Sequence, residues 1–309
     1  MKDFFLKRVR EKGGFKCYHA HFDKSYLINE KNLERSQSSL QEKWKIYREF
    51  KESYNEVDLL NRMSKCVSNM LKQEVSYIRT FVDADSIVGQ KCIDAGIKLK
   101  EVYSDKVKID LAIQPLEGLE DKKSRYNFIE ACEKADFIGG LPDRDSSPEK
   151  HIDILFNLSK SLDKPVDIHV GQNNIPTEKE TELVLDMIDK HKLEKEVNLV
   201  HCISLSCQEE DYIRYQAKRM VNLGVNVIVC PSAAISMKQQ RSSNSPIHNS
   251  IAPINILLDE GVKVKLGIDN ISDLFMPLVD GDLWFESRLL MESSRIYDFD
   301  LISDIVTSD

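Results

Sequence analysis

The sequence predicts an α/β fold, a closed (β/α)8 barrel of the TIM type. Three observations carry that expectation. Short β-branched runs alternate with longer amphipathic stretches along the whole chain. Eight such runs can be placed, at 15–22, 75–83, 107–115, 135–142, 165–172, 197–204, 226–232 and 262–270. No GxGxxG or GxxxxGK sequence opens a nucleotide-binding turn, as a doubly wound sheet would usually require. The clearest helical patterns span 41–73, 177–192 and 208–223. No linker or repeat divides residues 1–309, so the chain reads as a single barrel domain.

Composition narrows the function classes. A net charge of −8 argues against a nucleic-acid partner, which needs a basic face to neutralise phosphates. No stretch approaches the roughly 20 apolar residues of a membrane span, and the basic N-terminus lacks a signal-peptide core. Seven cysteines, an odd number with no CxxC pair, suit free thiols in a reducing compartment. The expectation is a soluble, cytoplasmic protein with a small-molecule substrate, with homo-oligomer formation left open.

The first run ends in Tyr18-His19-Ala20-His21-Phe22-Asp23. Side chains alternate along a strand, so His19 and His21 share the inward face and can chelate one cation. Cys17, two residues earlier on that face, reads as packing. The polar connection at 23–40 is long, and reads equally as an active-site lid or a surface excursion. The second run ends in Asp83, which can bind substrate or orient the histidines. The fourth ends in Gly139-Gly140-Leu141-Pro142. The fifth run ends at His169, the sixth at His201 and the eighth at Asp269. In a barrel these C-terminal strand ends meet at one mouth.

Buried imidazole and carboxylate groups at that mouth need a partner, and a divalent metal, zinc or iron(II), supplies one. His19, His21, His169 and Asp269 are the expected ligands. The ion would acidify a water to give hydroxide as nucleophile. Asp269 can take that water's proton, and His201 polarises the bond under attack. Lys24 is placed to reach an anionic or carbonyl group of the substrate. Lys265 points inward by alternation, with Asp167 as its expected ion-pair partner, and His151, His191 and His248 read as surface residues.

The ordered set resembles the amidohydrolase superfamily, nearest to its cytosine-deaminase-like branch. The similar stretches are His19-Ala20-His21-Phe22-Asp23-Lys24-Ser25, Arg79-Thr80-Phe81-Val82-Asp83, Pro115-Leu116-Glu117-Gly118, Asp167-Ile168-His169, His201-Cys202, and Gly267-Ile268-Asp269-Asn270 with Asp273. The resemblance implies a metal-dependent hydrolase of a non-peptide C–N bond, in a cyclic amide or ring amine. It also implies one metal ion, because the fourth run carries no lysine to bridge two, and a β-sandwich that is missing or minimal here. Three positions depart from the cytosine-deaminase pattern. Gln172 stands where a proton-moving glutamate is expected, Leu116 where a glutamine reads the ring, and Asn270 where an aspartate follows the last ligand. Gln172, Lys24, Leu116, Asn270 and Asp273 are therefore the expected substrate-binding residues, with cytosine itself an unexpected substrate. An ester or lactone hydrolase and a catalytically dead binding barrel are the alternatives.

Overall fold

A computed structural model describes residues 1–237, 243–245 and 251–308. Eight parallel strands pair in chain order: β1 (Phe15–Cys17), β2 (Val75–Asp83), β3 (Lys108–Gln114), β4 (Phe137–Gly140), β5 (Val166–Val170), β6 (Val197–His201), β7 (Asn226–Val229) and β8 (Val264–Leu266). The ring closes between its ends. Tyr18 N donates to Leu266 O, His21 N donates to Asp269 O, and Ala20 bridges Asp269. All eight expected runs hold a strand. They are legible because a parallel strand is buried on both faces and therefore reads as a near-continuous apolar run. β1 and β8 are the shortest relative to expectation, since His19 to His21 and Gly267 to Asn270 leave the regular ladder.

Helices cover the outside, their apolar stripes packed on the strands. Val184, Leu185 and Ile188 of the helix Glu180–His191 are buried, as are Ile213, Ala217 and Met220 of Glu210–Asn222. The pattern at 41–73 is not one helix but two, Leu40–Glu52 and Glu56–Leu71. The break is chemical: Asn55 caps the second helix by accepting from Asp58 N at 3.0 Å, while Ser53 Oγ donates back to Phe50 O. Such side-chain bonds offer the backbone an alternative to continuing the helix.

Small residues set the interior. A Cβ on Gly139 would lie 2.3 Å from Ile113 O and 2.5 Å from the Phe81 ring. The missing side chain leaves room for Phe81, whose ring packs 4.7 Å from His19 and 4.9 Å from His169. Below that ring the barrel floor is polar and closed. Arg79 Nη1 meets both oxygens of Asp167 at 2.9 and 3.1 Å, Arg79 Nε donates to Tyr77 Oη, and Asn198 donates to Asp167 at 2.6 Å. The expected Lys265–Asp167 pair is therefore incorrect. Lys265 reaches outward to Glu196 at 3.2 Å, because Arg79 already fills the space beside Asp167.

No helix among the described residues is long and apolar enough to cross a membrane. All seven cysteines are free and buried.

Candidate metal and active site

The mouth of the barrel gathers the four residues expected to bind metal. One ligand atom from each of His19, His21, His169 and Asp269 lies within 4.8 Å of the others. Asp269 Oδ1 is 3.2 Å from His19 Nε2 and 3.1 Å from His21 Nε2. The Nε2 atoms of His21 and His169 face each other at 3.3 Å. Donors about 2.0–2.2 Å from one tetrahedral ion lie a little over 3 Å from each other, so these spacings fit a single divalent cation. The chemistry fits as well. His169 Nδ1 donates to Gly140 O at 2.9 Å, which leaves the lone pair on Nε2, the atom facing the cluster.

Electrostatics point the same way. Burial pushes the His21 imidazole down to about 3, against the hydrogen bond to Asp269. Burial and the neighbouring histidines hold His169 well below the usual range. Burial alone would raise Asp269, but hydrogen bonds from His19 and His21 hold it well below an ordinary carboxylate. Neutral imidazoles and an ionised carboxylate are the protonation states that ligate a cation.

His201 stands beside this set and outside it. Its ring centroid is 5.7 Å from His19 and 5.5 Å from His169. Burial lowers its pKa to about 4, and its buried Nδ1 has no protein partner. Both His201 and Asp269 have left-handed backbones, with φ of 80° and 72°. Non-glycine residues rarely hold that conformation, and strain of this kind collects at functional sites. Nothing in the sequence pattern signalled it.

A cavity of about 650 Å³ opens over the cluster. Lys24, Leu116, Gln172 and Asn270 lie on its wall, as expected, but Asp273 is not among the described lining residues. Asp273 lies behind the wall and accepts from Tyr47 Oη at 2.7 Å, from Asn270 Nδ2, and from the Phe275 and Met276 N–H groups. Burial raises it to about 6. Lys24 is 1% exposed and its Nζ pairs with Asp83 at 2.7 Å and Asp23 at 3.3 Å. Asp83 thus pairs with Lys24 rather than hydrogen-bonding the histidines; Lys24 and Lys51 offset its burial and hold it low.

The long connection at 23–40 joins the site. Ser36 to Ser39 line the cavity, followed by Leu40, Lys43 and Trp44 of the helix Leu40–Glu52. That helix is tied down rather than loose. Buried Lys51 Nζ binds Asp85, Glu117 at 3.3 Å and Asp83 at 3.4 Å, and Tyr47 holds Asp273.

One residue of the site escaped sequence reasoning. Gln114, at the end of β3, is 3% exposed, lines the cavity, and has an amide oxygen with no partner. It stands two residues before Leu116, where no glutamine was found. Off the cavity wall, Glu286 of the helix Leu283–Ser294 accepts from Ser232 N at 3.0 Å, and burial raises its pKa to about 7. Two histidines expected at the surface are elsewhere. His151 is buried, its Nδ1 at 2.7 Å from Asp145 and its Nε2 accepting from Leu141 N, because its helix, Pro148–Leu162, covers the end of β4. His191 is partly buried against Phe156 and pairs with Asp153. His248 lies outside the described residues.

Comparison with known proteins agrees with this geometry. No family model matches the chain. An uncharacterized protein of Haemophilus influenzae is 31% identical over 264 residues, covering 84% of this chain and 95% of that one. The N-isopropylammelide isopropyl amidohydrolase of a Pseudomonas species is 22% identical over 315 residues, covering 96% of this chain and 72% of the relative. The crystal structure of 5-methylcytosine deaminase from Klebsiella pneumoniae superposes with a TM-score of 0.86 at 21% identity, over 94% of this chain and 72% of that one. The chain belongs to one family with the Haemophilus influenzae protein, and it shares the barrel fold of the solved deaminase.

Proposed function

We propose that this protein is a metal-dependent hydrolase that cleaves a non-peptide C–N bond of a ring compound, a cyclic amide or a ring amine, and that cytosine is not its substrate. The observation that carries the reading is the cluster of three histidines and one aspartate at the mouth, with an unpartnered histidine beside it. His19, His21, His169 and Asp269 hold the ion, and zinc and iron(II) both suit that donor set. Such an ion, when bound, acidifies a water to a pKa of about 7 and polarises an oxygen or nitrogen of the substrate.

The chain's own groups do the rest. Asp269 accepts the water's proton on the carboxylate oxygen that His19 and His21 leave free. His201, neutral at physiological pH, presents its ring N–H to the atom on which charge develops. Two amides line the same cavity with unmatched buried atoms, the Gln114 oxygen and the Gln172 nitrogen. A ring with an N–H and a C=O group satisfies both, and an orphaned acceptor or donor otherwise costs about 1–3 kcal/mol. A glutamine amide orients but does not shuttle protons. Gln172 therefore takes no part in proton transfer, unlike the glutamate that moves a proton in the cytosine-deaminase pattern. The names of the isopropylammelide and 5-methylcytosine relatives support a ring C–N bond as the target.

The test joins metal analysis to a screen. Purified protein should hold one divalent ion per chain, and the loaded protein should release ammonia or amine from a member of a ring-amine and cyclic-amide panel. Failure to bind any divalent ion tightly would overturn the hydrolase reading. Rapid ammonia release from cytosine would overturn its second half.

A further inference from the structure

Three ionic side chains line the cavity among the described residues, and two of them have settled partners. Lys24 is neutralised by Asp83 and Asp23. Asp269 belongs to the ligand set. The third, Lys43, has no carboxylate within ion-pair range among the described residues, and its Nζ makes one hydrogen bond, to Phe275 O at 3.4 Å. It is half-buried, and burial lowers its pKa. Asp273 is the acid whose charge it feels, but Tyr47, Asn270 and two backbone N–H groups already take that carboxylate.

The surroundings give the cation a fixed place. Phe275, whose carbonyl holds it, stacks on Tyr47 with ring centroids 4.9 Å apart. Tyr47 lies one helical turn after Lys43 on the helix Leu40–Glu52, which Lys51 anchors. The cavity wall is apolar at Trp44, Leu116, Leu141 and Met276, a surface for the flat face of a ring. The cavity has more room than a bare six-membered ring occupies.

We infer that the substrate is anionic, a ring compound bearing a carboxylate, and that Lys43 is the residue that reads the carboxylate. The inference rests on the C–N hydrolase reading for the ring, and on the unpaired cation for the charge. A charge-assisted hydrogen bond in a partly desolvated site discriminates between a carboxylate and a neutral amide of the same shape.

Binding of matched pairs tests it. Pyrimidine carboxylates with the acid at ring position 4, 5 or 6 are titrated calorimetrically into the metal-loaded protein, each beside its own carboxamide. At least one acid should bind about tenfold more tightly than its amide at low salt. That preference should vanish in Lys43→Met and survive in Lys43→Arg, with melting temperatures confirming that both variants fold. No acid exceeding its amide, or a preference that persists in Lys43→Met, overturns the inference. Amino-substituted members of the same panel separate the two readings. Ammonia release without any carboxylate preference breaks the Lys43 inference alone. A Lys43-dependent preference without release from any member breaks the hydrolase reading and leaves the anion site standing.

Discussion

At the floor of the barrel, Arg79 lies 3.5 Å over the Phe137 ring and meets Asp167 through two hydrogen bonds, while Tyr77 donates to Asp110 at 2.7 Å and Asn198 closes the remaining side. At the mouth, the atoms left without a partner include His19 Nδ1, His21 Nδ1, Gln114 Oε1, Gln172 Nε2 and His201 Nδ1. Both layers are buried and polar, and both sit inside the same ring of strands. The floor completes its hydrogen bonds within the chain, and the mouth leaves them for something the chain does not contain. Buried polar groups in native proteins are almost always satisfied, so a cluster of exceptions on one cavity wall marks where a ligand belongs. The expectation is that the first layer serves stability and the second chemistry.

That contrast can be broken from either side, and the largest effect is expected at the mouth. His201→Asn should keep its metal and its melting temperature yet lose turnover by about 10²–10⁴, the usual contribution of a group that acts on the transition state. Metal analysis beside kinetics checks it; loss of the ion would make His201 a ligand. The floor should answer in the opposite currency, with stability lost and the site spared. Arg79→Met strands a buried carboxylate and should cost about 3–5 kcal/mol in urea unfolding, and adding Asp167→Leu should restore much of that loss. A single variant that unfolds no more readily than the parent would show that the floor is not the stabilising layer. The smallest effect is expected at Gln114. Gln114→Met removes an orphaned acceptor while keeping the volume, and should raise stability by about 1–2 kcal/mol while weakening binding of the ring. A loss of stability there would mean that Gln114 belongs to the floor's kind of chemistry.

The same contrast explains what could be read from the sequence. The barrel was legible because eight two-faced apolar runs have few other solutions. The clustering of His19, His21, His169 and Asp269 was legible because strand alternation fixes which way His19 and His21 point, and because strand ends share one mouth. Alternation gives the face of a residue but not its neighbour around the ring. For that reason Lys265 was matched with Asp167 when Arg79, three strands away from β5, holds it. Gln114 was missed for a related reason: motif comparison looked at position 116, and a cavity wall accepts a side chain from either position if the backbone turns between them. His151 was misplaced because a helix N-terminus that covers a strand end looks, in sequence, like any exposed first turn.

The hydrogen bond from His169 to the Gly140 carbonyl carries a consequence for how this site can change over time. A ligand oriented by a side chain can lose its orientation through one substitution. Here the acceptor is main chain, and no codon encodes it. It is held by the pairing of β4 with β5, in which Gly140 faces Ile168. Point mutation therefore leaves the tautomer of His169 intact for as long as the two strands keep their register, while Lys43, Gln114 and Gln172 stay free to drift. A lineage built on this frame can exchange substrates many times without rebuilding the histidine cluster at its mouth.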